Sequence, residues 1–354
     1  MSTSPKNPDA LTGPVSGSAG ELAPRNVLVT GASGLLGGAV AGLLAANGHK
    51  VRTLQRRPGN PGTDFVAGSV ADPDAAARAV EGMDAVIHLA AKVSFTGEWE
   101  EFEETNILGT QILLKAARAA GVRDVVFVSS PSVAHFGEPI AGAGAGTADP
   151  ERARGFYAAS KAEAELLALA QNSPDFRVTA IRPHVVWGPG DTQLVERVID
   201  RARSNRLPLL DAGAALIDTT YIDNAAAAIV RGLERMDAAQ GKALVVTNGQ
   251  PRPVGELISG ICAAAGVPAP RWSVPGKVAR RAGSLLERVW LAAGRRGLVH
   301  DEPPMTRFLA EQLSTSHWFD QRETREVLDW TPEVSIEEGM ARLARHYGGR
   351  SHNS

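Results

Sequence analysis

The chain of 354 residues holds a single cysteine, Cys262, so it can form neither an intrachain disulfide nor a thiolate zinc site. That scarcity points to a reducing, cytoplasmic setting. No apolar run reaches the ~18 residues that span a bilayer. Residues 1–24 lack the apolar h-region of a signal peptide and are rich in Ser, Pro and Gly; they read as a disordered leader, with a short tail at 348–354. Neither sign of charge dominates. The 37 basic and 39 acidic residues leave a net charge of −2, without the dense basic face of a nucleic-acid binder. The eight histidines are scattered with no pair at metal-ligand spacing, so no metal site is expected.

What remains is a globular composition, 44% hydrophobic and 21% charged, long enough for one large domain with an appended lobe. Short apolar runs at 27–30, 51–55, 65–66, 85–89, 125–128 and 178–181 read as buried parallel strands. Helical sequence at 35–47, 102–120 and 157–171 lies between them. This alternation over 25–182 predicts right-handed βαβ units and an α/β, doubly wound parallel sheet covered on both faces. After Pro183 it loosens. Helices are expected at 193–203, 224–235, 253–265 and 335–347, and 183–347 reads as mainly a smaller substrate lobe with crossings back to the sheet. The alternating Ala-Gly run at 141–146 is expected to be a mobile loop.

Thr30-Gly31-Ala32-Ser33-Gly34-Leu35-Leu36-Gly37 sits where the first strand gives way to the first helix. Glycines at this spacing allow a tight turn, close approach of backbone to a pyrophosphate, and close helix–sheet packing. A Gly-x-Ser-x-Gly hydrolase elbow is rejected, because Leu35 stands where the second glycine should be. Such Rossmann-type folds place a carboxylate at the end of the second strand when the ligand is NAD(H). Here the position holds Gln55, then Arg56 and Arg57, so NADP(H) is preferred over NAD(H). The alternative for the two arginines is a solvated loop.

Tyr157 and Lys161, four apart on an expected helix, share one face. A neighbouring ammonium is expected to draw the phenol toward working pH and make it a usable proton donor. Ser129-Ser130 closes a core strand at the edge where such sheets meet ligand, although a serine there can equally be a cap.

In this order, the glycine loop, Ser130 and Tyr157-x-x-x-Lys161 resemble the extended short-chain dehydrogenases/reductases over about residues 25–347. The resemblance implies that Ser130 and Tyr157 hold a carbonyl or alcohol oxygen while Lys161 binds the nicotinamide ribose and tunes the tyrosine. It also implies that Asn106 supports the lysine through water, where a helix cap is the alternative. Cofactor contacts implied in the same way are Gly31, Ser33, Gly34, Leu35, Leu36, Gly37, Arg56, Arg57, Ser69, Val70, Ala90, Ala91, Lys92, Pro183, Val185 and Val186. The usual Gly-Asp after the third strand is Gly68-Ser69 here, with Asp72 following.

The strings at 182–191, 218–225 and 302–304 look like the 3β-hydroxysteroid dehydrogenase-like branch, and with 129–133 they most resemble bacterial 2-alkyl-3-oxoalkanoate reductases of olefin biosynthesis. That implies NADPH-dependent reduction of a β-keto group on a hydrophobic substrate. The alternatives are a 3β-hydroxysteroid or sterol-carboxylate dehydrogenase, a nucleotide-sugar epimerase/dehydratase (disfavoured by Val185 in place of asparagine), and a non-catalytic NAD(P) sensor. Ser132, His184, Tyr221, Leu286 and Trp290 are the candidate substrate contacts, with a packed structural role the alternative for His184. An amphipathic helix over 277–297 reads as core packing, an acyl-chain cleft, a lipid-surface contact or a docking face for pathway enzymes. A homodimer is a further expectation.

Overall fold

The computed structural model describes residues 23–57, 64–94, 97–283, 286 and 307–350. Nearly all of the expected leader, the last four residues, Trp290 and most of the expected 277–297 helix lie outside them. Residues 348–350 of the expected tail are helical, closing Ile336–Arg350.

Strands β1 (Asn26–Thr30), β2 (Lys50–Gln55), β3 (Asp64–Ala67), β4 (Ala85–His88) and β5 (Asp124–Val128) fall where the apolar runs predict. A short strand β6 (Ile140–Ala143) belongs to a second sheet, and β7 (Arg177–Pro183) returns to the first. A seventh strand, Ala243–Val246, completes a parallel sheet in the order Ala243–Val246, β7, β5, β4, β1, β2, β3. Strand order reverses between β1 and β4, which opens a crevice at their carboxyl ends.

Period-two alternation divides each central strand between two cores. Val27 and Val29 of β1, Ala85 and Ile87 of β4, and Val126 and Val128 of β5 face one cluster. Leu28, Val86, Val125 and Phe127 face the other. The first is covered by α1 (Leu35–Ala46) and the helix Ile222–Glu234. The second is covered by α2 (Pro73–Val80), then, beyond the single-turn α3 (Trp99–Phe102), by α4 (Gly109–Ala119) and α5 (Phe156–Ala170).

Two expectations are corrected. The helix expected over 102–120 is α3, a π-helical segment Glu103–Leu108, and α4. The Ala-Gly run is not wholly a loop, because Ile140–Ala143 pairs in parallel with His317–Phe319. Strand pairing uses backbone groups only, and Gly142, at φ +69, leaves room for the Trp318 ring.

A third cluster builds the second lobe around Trp187, Ile199, Ile217, Leu257, Ile261 and Leu343. Asn224 fastens it to the sheet: its Oδ1 accepts from Glu333 N and Val334 N, both at 3.0 Å, and its Nδ2 donates to Asn248 Oδ1 and Val334 O at 2.9 and 2.7 Å. Asn224→Ala is therefore expected to cost about 3 kcal/mol, since each orphaned buried partner is worth roughly 1–3 kcal/mol. Denaturant titration measures it, and an unchanged midpoint at equal slope contradicts it.

Candidate active site

At the crevice, β1 ends in a turn that only glycine can make. Gly31 has φ +74, and a Cβ there would meet Ala90 N at 2.8 Å; one on Gly37 would meet Gly31 O at 2.3 Å. Gly34 N donates to Gly31 O at 3.0 Å, and Gly34 opens α1 with no side-chain cap. The first amides of α1 are thus left to a ligand or water. Ser33, Gly34 and Leu35 are exposed on the crest of the turn, while Leu36 is half-buried and Gly37 buried.

The end of β2 carries Gln55, 5% exposed, whose Oε1 has no hydrogen-bond partner among the described residues. Arg56 and Arg57 follow it into solvent. After β3, Ser69 Oγ accepts from Ala71 N at 3.2 Å, and buried Val70 packs on Gly109. Asp72 caps α2 by accepting from Asp74 N and Ala75 N, with Pro73 at the first helical position, so its carboxylate is engaged in the cap.

A chain of buried hydrogen bonds ties the strand ends together. Thr30 Oγ1 lies 2.7 Å from His88 Nδ1, and His88 Nε2 lies 3.0 Å from Thr110 Oγ1, which donates to Asn106 O at 2.6 Å. Ala90 N donates to Thr30 Oγ1 at 3.0 Å. Burial, reinforced by Lys161, pulls His88 down to about 3, so it is a neutral link. The π-helical turn aims the Asn106 amide across the gap: Oδ1 accepts from Lys92 N at 2.7 Å and Nδ2 donates to Ser160 Oγ at 2.9 Å. Neither a helix cap nor a direct partner of Lys161, Asn106 fixes the 90–92 segment, Ala91 included, against α5. The Lys92 ammonium itself pairs with Glu101 at 3.0 Å.

On α5, Tyr157 lies beside Ser130, and Ser130 Oγ accepts from Ser132 Oγ at 2.9 Å. Burial pushes the phenol up to about 12, and the neighbouring Ser130 hydroxyl opposes this. Lys161, 3% exposed, donates to Val128 O at 2.8 Å and lies 4.0 Å from the Phe127 ring centroid. Burial pulls it down to about 7. The expected acidification of Tyr157 by Lys161 is therefore absent. The spacing puts both on one helix face, but the ammonium is held by the end of β5 and desolvation governs both groups.

Past β7, buried Pro183 leads into Val185, a β-branched residue at φ +43, a conformation that costs on the order of 1–3 kcal/mol. Thr220 enforces it, donating from Oγ1 to His184 O at 2.8 Å and from N to Val185 O at 3.2 Å. Val186 then pairs with Thr220. His184 takes the packed reading: Nδ1 meets Asp218 O, and the ring stacks edge-on to His317 and Phe319 at 5.0 and 5.1 Å. Burial first, then His317, pull it well below its usual range.

Tyr221, a candidate substrate contact, is packed inside the core cluster around Trp187. It is 2% exposed in the second lobe's core, edge-on to Trp187 at 5.4 Å and beneath Arg342. Leu286 is half-buried. The histidines are not all scattered, since His135 and His184 flank His317, with His135 at 5.6 Å; this non-local cluster has no sequence signal. Among the described residues, no three His, Cys, Asp or Glu side chains are arranged to hold a metal, and no helix is long and apolar enough to cross a membrane.

The profile of the NAD dependent epimerase/dehydratase family matches residues 27–247. The chain belongs to that family. Its relatives within this epimerase/dehydratase family, the extended short-chain dehydrogenases/reductases, include the 2-alkyl-3-oxoalkanoate reductase of Stenotrophomonas maltophilia, 41% identical over 90% of this chain and 98% of the relative. The 2-alkyl-3-oxoalkanoate reductase of Shewanella oneidensis is 35% identical over 90% of this chain and 85% of the relative. A short-chain dehydrogenase/reductase superfamily protein from Agrobacterium tumefaciens, solved with bound NAD, shares the fold with a TM-score of 0.71 at 22% identity, over 93% of this chain and 98% of that one. This member of the epimerase/dehydratase family is an NAD(P)-dependent oxidoreductase with a reductase role on a small molecule.

The residues present fit a dinucleotide. The glycine cradle would be filled by any Cβ, the α1 amides lack a side-chain cap, and Gln55 Oε1 is a buried acceptor without a donor among the described residues. Gly37→Ala is expected to weaken NAD(P)H binding at least tenfold, about 1.4 kcal/mol, because the atoms it would strike are backbone. Fluorescence titration reads the Kd, and an unaltered value contradicts the cradle.

Proposed function

We propose that the protein reduces the 3-keto group of a 2-alkyl-3-oxoalkanoate with NADPH, as a step in long-chain olefin assembly. The observation that carries this reading is the placement of the Tyr157 phenol beside the Ser130 hydroxyl at the carboxyl end of the sheet, with the buried Lys161 ammonium held by Val128 O. The names of the two relatives support the substrate class.

The glycine turn and the start of α1 hold the pyrophosphate, and Arg56 and Arg57 take the 2′-phosphate where a carboxylate would repel it. Reduced nicotinamide, when bound, supplies the hydride that adds to the ketone carbon. Tyr157 gives its proton to the oxygen that gains charge. A phenol at about 12 is protonated throughout the working range, the state a donor in the reducing direction needs. Ser130 donates a hydrogen bond to the same oxygen, and Ser132 orders Ser130 through the 2.9 Å bond between their hydroxyls. Lys161, reaching from α5 to the end of β5, would bind the ribose.

Following NADPH absorbance with β-keto acids, β-keto esters and steroid ketones is expected to show turnover on 2-alkyl-3-oxo acids. Turnover on steroids alone overturns the substrate. Tyr157→Phe is expected to lower turnover roughly a hundred- to ten-thousand-fold with NADPH affinity kept, and wild-type turnover in that variant overturns the mechanism. Replacing Arg56 and Arg57 with alanine is expected to cut the NADPH-over-NADH preference roughly ten- to a hundredfold. A wild type that prefers NADH refutes the cofactor assignment.

A further inference from the structure

The face of α5 that carries Tyr157 and Lys161 continues one turn further to Glu165, at positions i, i+4 and i+8. Glu165 and Arg182 are each 1% exposed and form a two-pronged pair: Nε donates to Glu165 Oε2 at 2.8 Å and Nη2 to Oε1 at 2.5 Å. Arg182 also donates to Ala145 O and, at 3.1 Å, to Gly146 O, so the pair pins α5 to β7 and to the end of the Ala-Gly run. A buried ion pair is weak evidence for stability, because apolar side chains of equal volume often serve as well. Its position suggests another use.

Lys161 has a carbonyl and an aromatic ring as its nearest partners, neither carrying a full charge. In so dry a site an ammonium sheds its proton unless an anion lies close. We propose that Glu165 is a positioning residue for the reaction: one turn beyond Lys161, its carboxylate keeps that ammonium charged at the strand end, and Arg182 fixes the carboxylate in place.

The groups facing Lys161 agree with this. From its own helix come Tyr157 and Glu165; from β4, neutral His88; from β5, the Phe127 ring and the Val128 carbonyl; Arg182 of β7 enters through the Glu165 carboxylate it engages. Glu165 opposes the downward pull of burial on Lys161. The kinetic consequence rests on the proposed role of Lys161 in the active site, whereas its charge state does not.

The test is an NMR titration of cofactor-free protein labelled at lysine Cε, with the Lys161 signal, one of seven, assigned by its loss in Lys161→Arg. Wild-type Lys161 is expected to titrate at about 7. In Glu165→Gln it is expected to fall by about one pH unit or more, and in Glu165→Asp to stay near wild type. Should Glu165→Gln fail to fold, Glu165→Gln with Arg182→Gln removes the buried charge in balance and is expected to lower Lys161 by a smaller amount, because the carboxylate, on α5, is the nearer of the two charges and the guanidinium's repulsion is removed with it. The alkaline limb of the kcat profile is expected to move down by the same amount, with KM for the ketone little changed. Lys161 titrating at its wild-type pH without Glu165 overturns the proposal. If the titration shifts in a wild type that reduces no ketone, the charge coupling stands and the proposed function fails; if the wild type reduces ketones and nothing shifts, only the coupling fails.

Discussion

An ammonium taken out of water has to be compensated by whatever surrounds it, and the burial of Lys161 imposes that demand on the carboxyl edge of the sheet. The Val128 carbonyl and Phe127 ring supply part of the answer from β5. Helix α5 is held in the necessary place from two sides, by Asn106 through Ser160 and by Arg182 through Glu165. The placement of Tyr157 beside Ser130 follows from the same contacts on α5.

Rigidity at this edge comes from polar groups that are almost all matched. Thr30, His88, Thr110 and Asn106 form one connected run linking β1, β4, the π-helical turn and α4. Such a run needs every member, since a missing hydroxyl leaves a buried partner without its bond. Val185 sits in a strained conformation nearby, and Thr220 holds the carbonyls on either side of its α-carbon. Strain kept this way is stored by the second lobe at the place where it meets the sheet.

Much of the fold was legible because its signals are local. The β-branched runs of β1, β4 and β5 mark strands buried on both faces, and the glycines after Thr30 mark a turn that forbids side chains. Helix α2 was legible in principle, since Asp72-Pro73 is a cap followed by a first-turn proline and Ala75, Ala76, Ala79 and Val80 recur on one face, but it spans only eight residues and its stripe is mostly alanine. The π-helical turn was not, because no residue type specifies one extra residue per turn. The strand Ala243–Val246 was overlooked among helices, and the pairing of Ile140–Ala143 with His317–Phe319 depends on a partner far along the chain. At the site, the spacing of Tyr157 and Lys161 was correct while the inferred electrostatics were not, because burial is a property of the assembled fold. The pairing of Glu165 with Arg182 has no local signal, because it forms only where α5 packs on β7.

The most direct measurement is a crystal structure of the protein with NADP and an unreactive analogue of a 2-alkyl-3-oxo acid. The account predicts the Tyr157 hydroxyl and Ser130 Oγ both within about 2.6–3.2 Å of the analogue's keto oxygen, with the keto carbon facing the nicotinamide ring. A Tyr157 hydroxyl lying far from that ring, or a site with no room for a carbonyl between them, would contradict it.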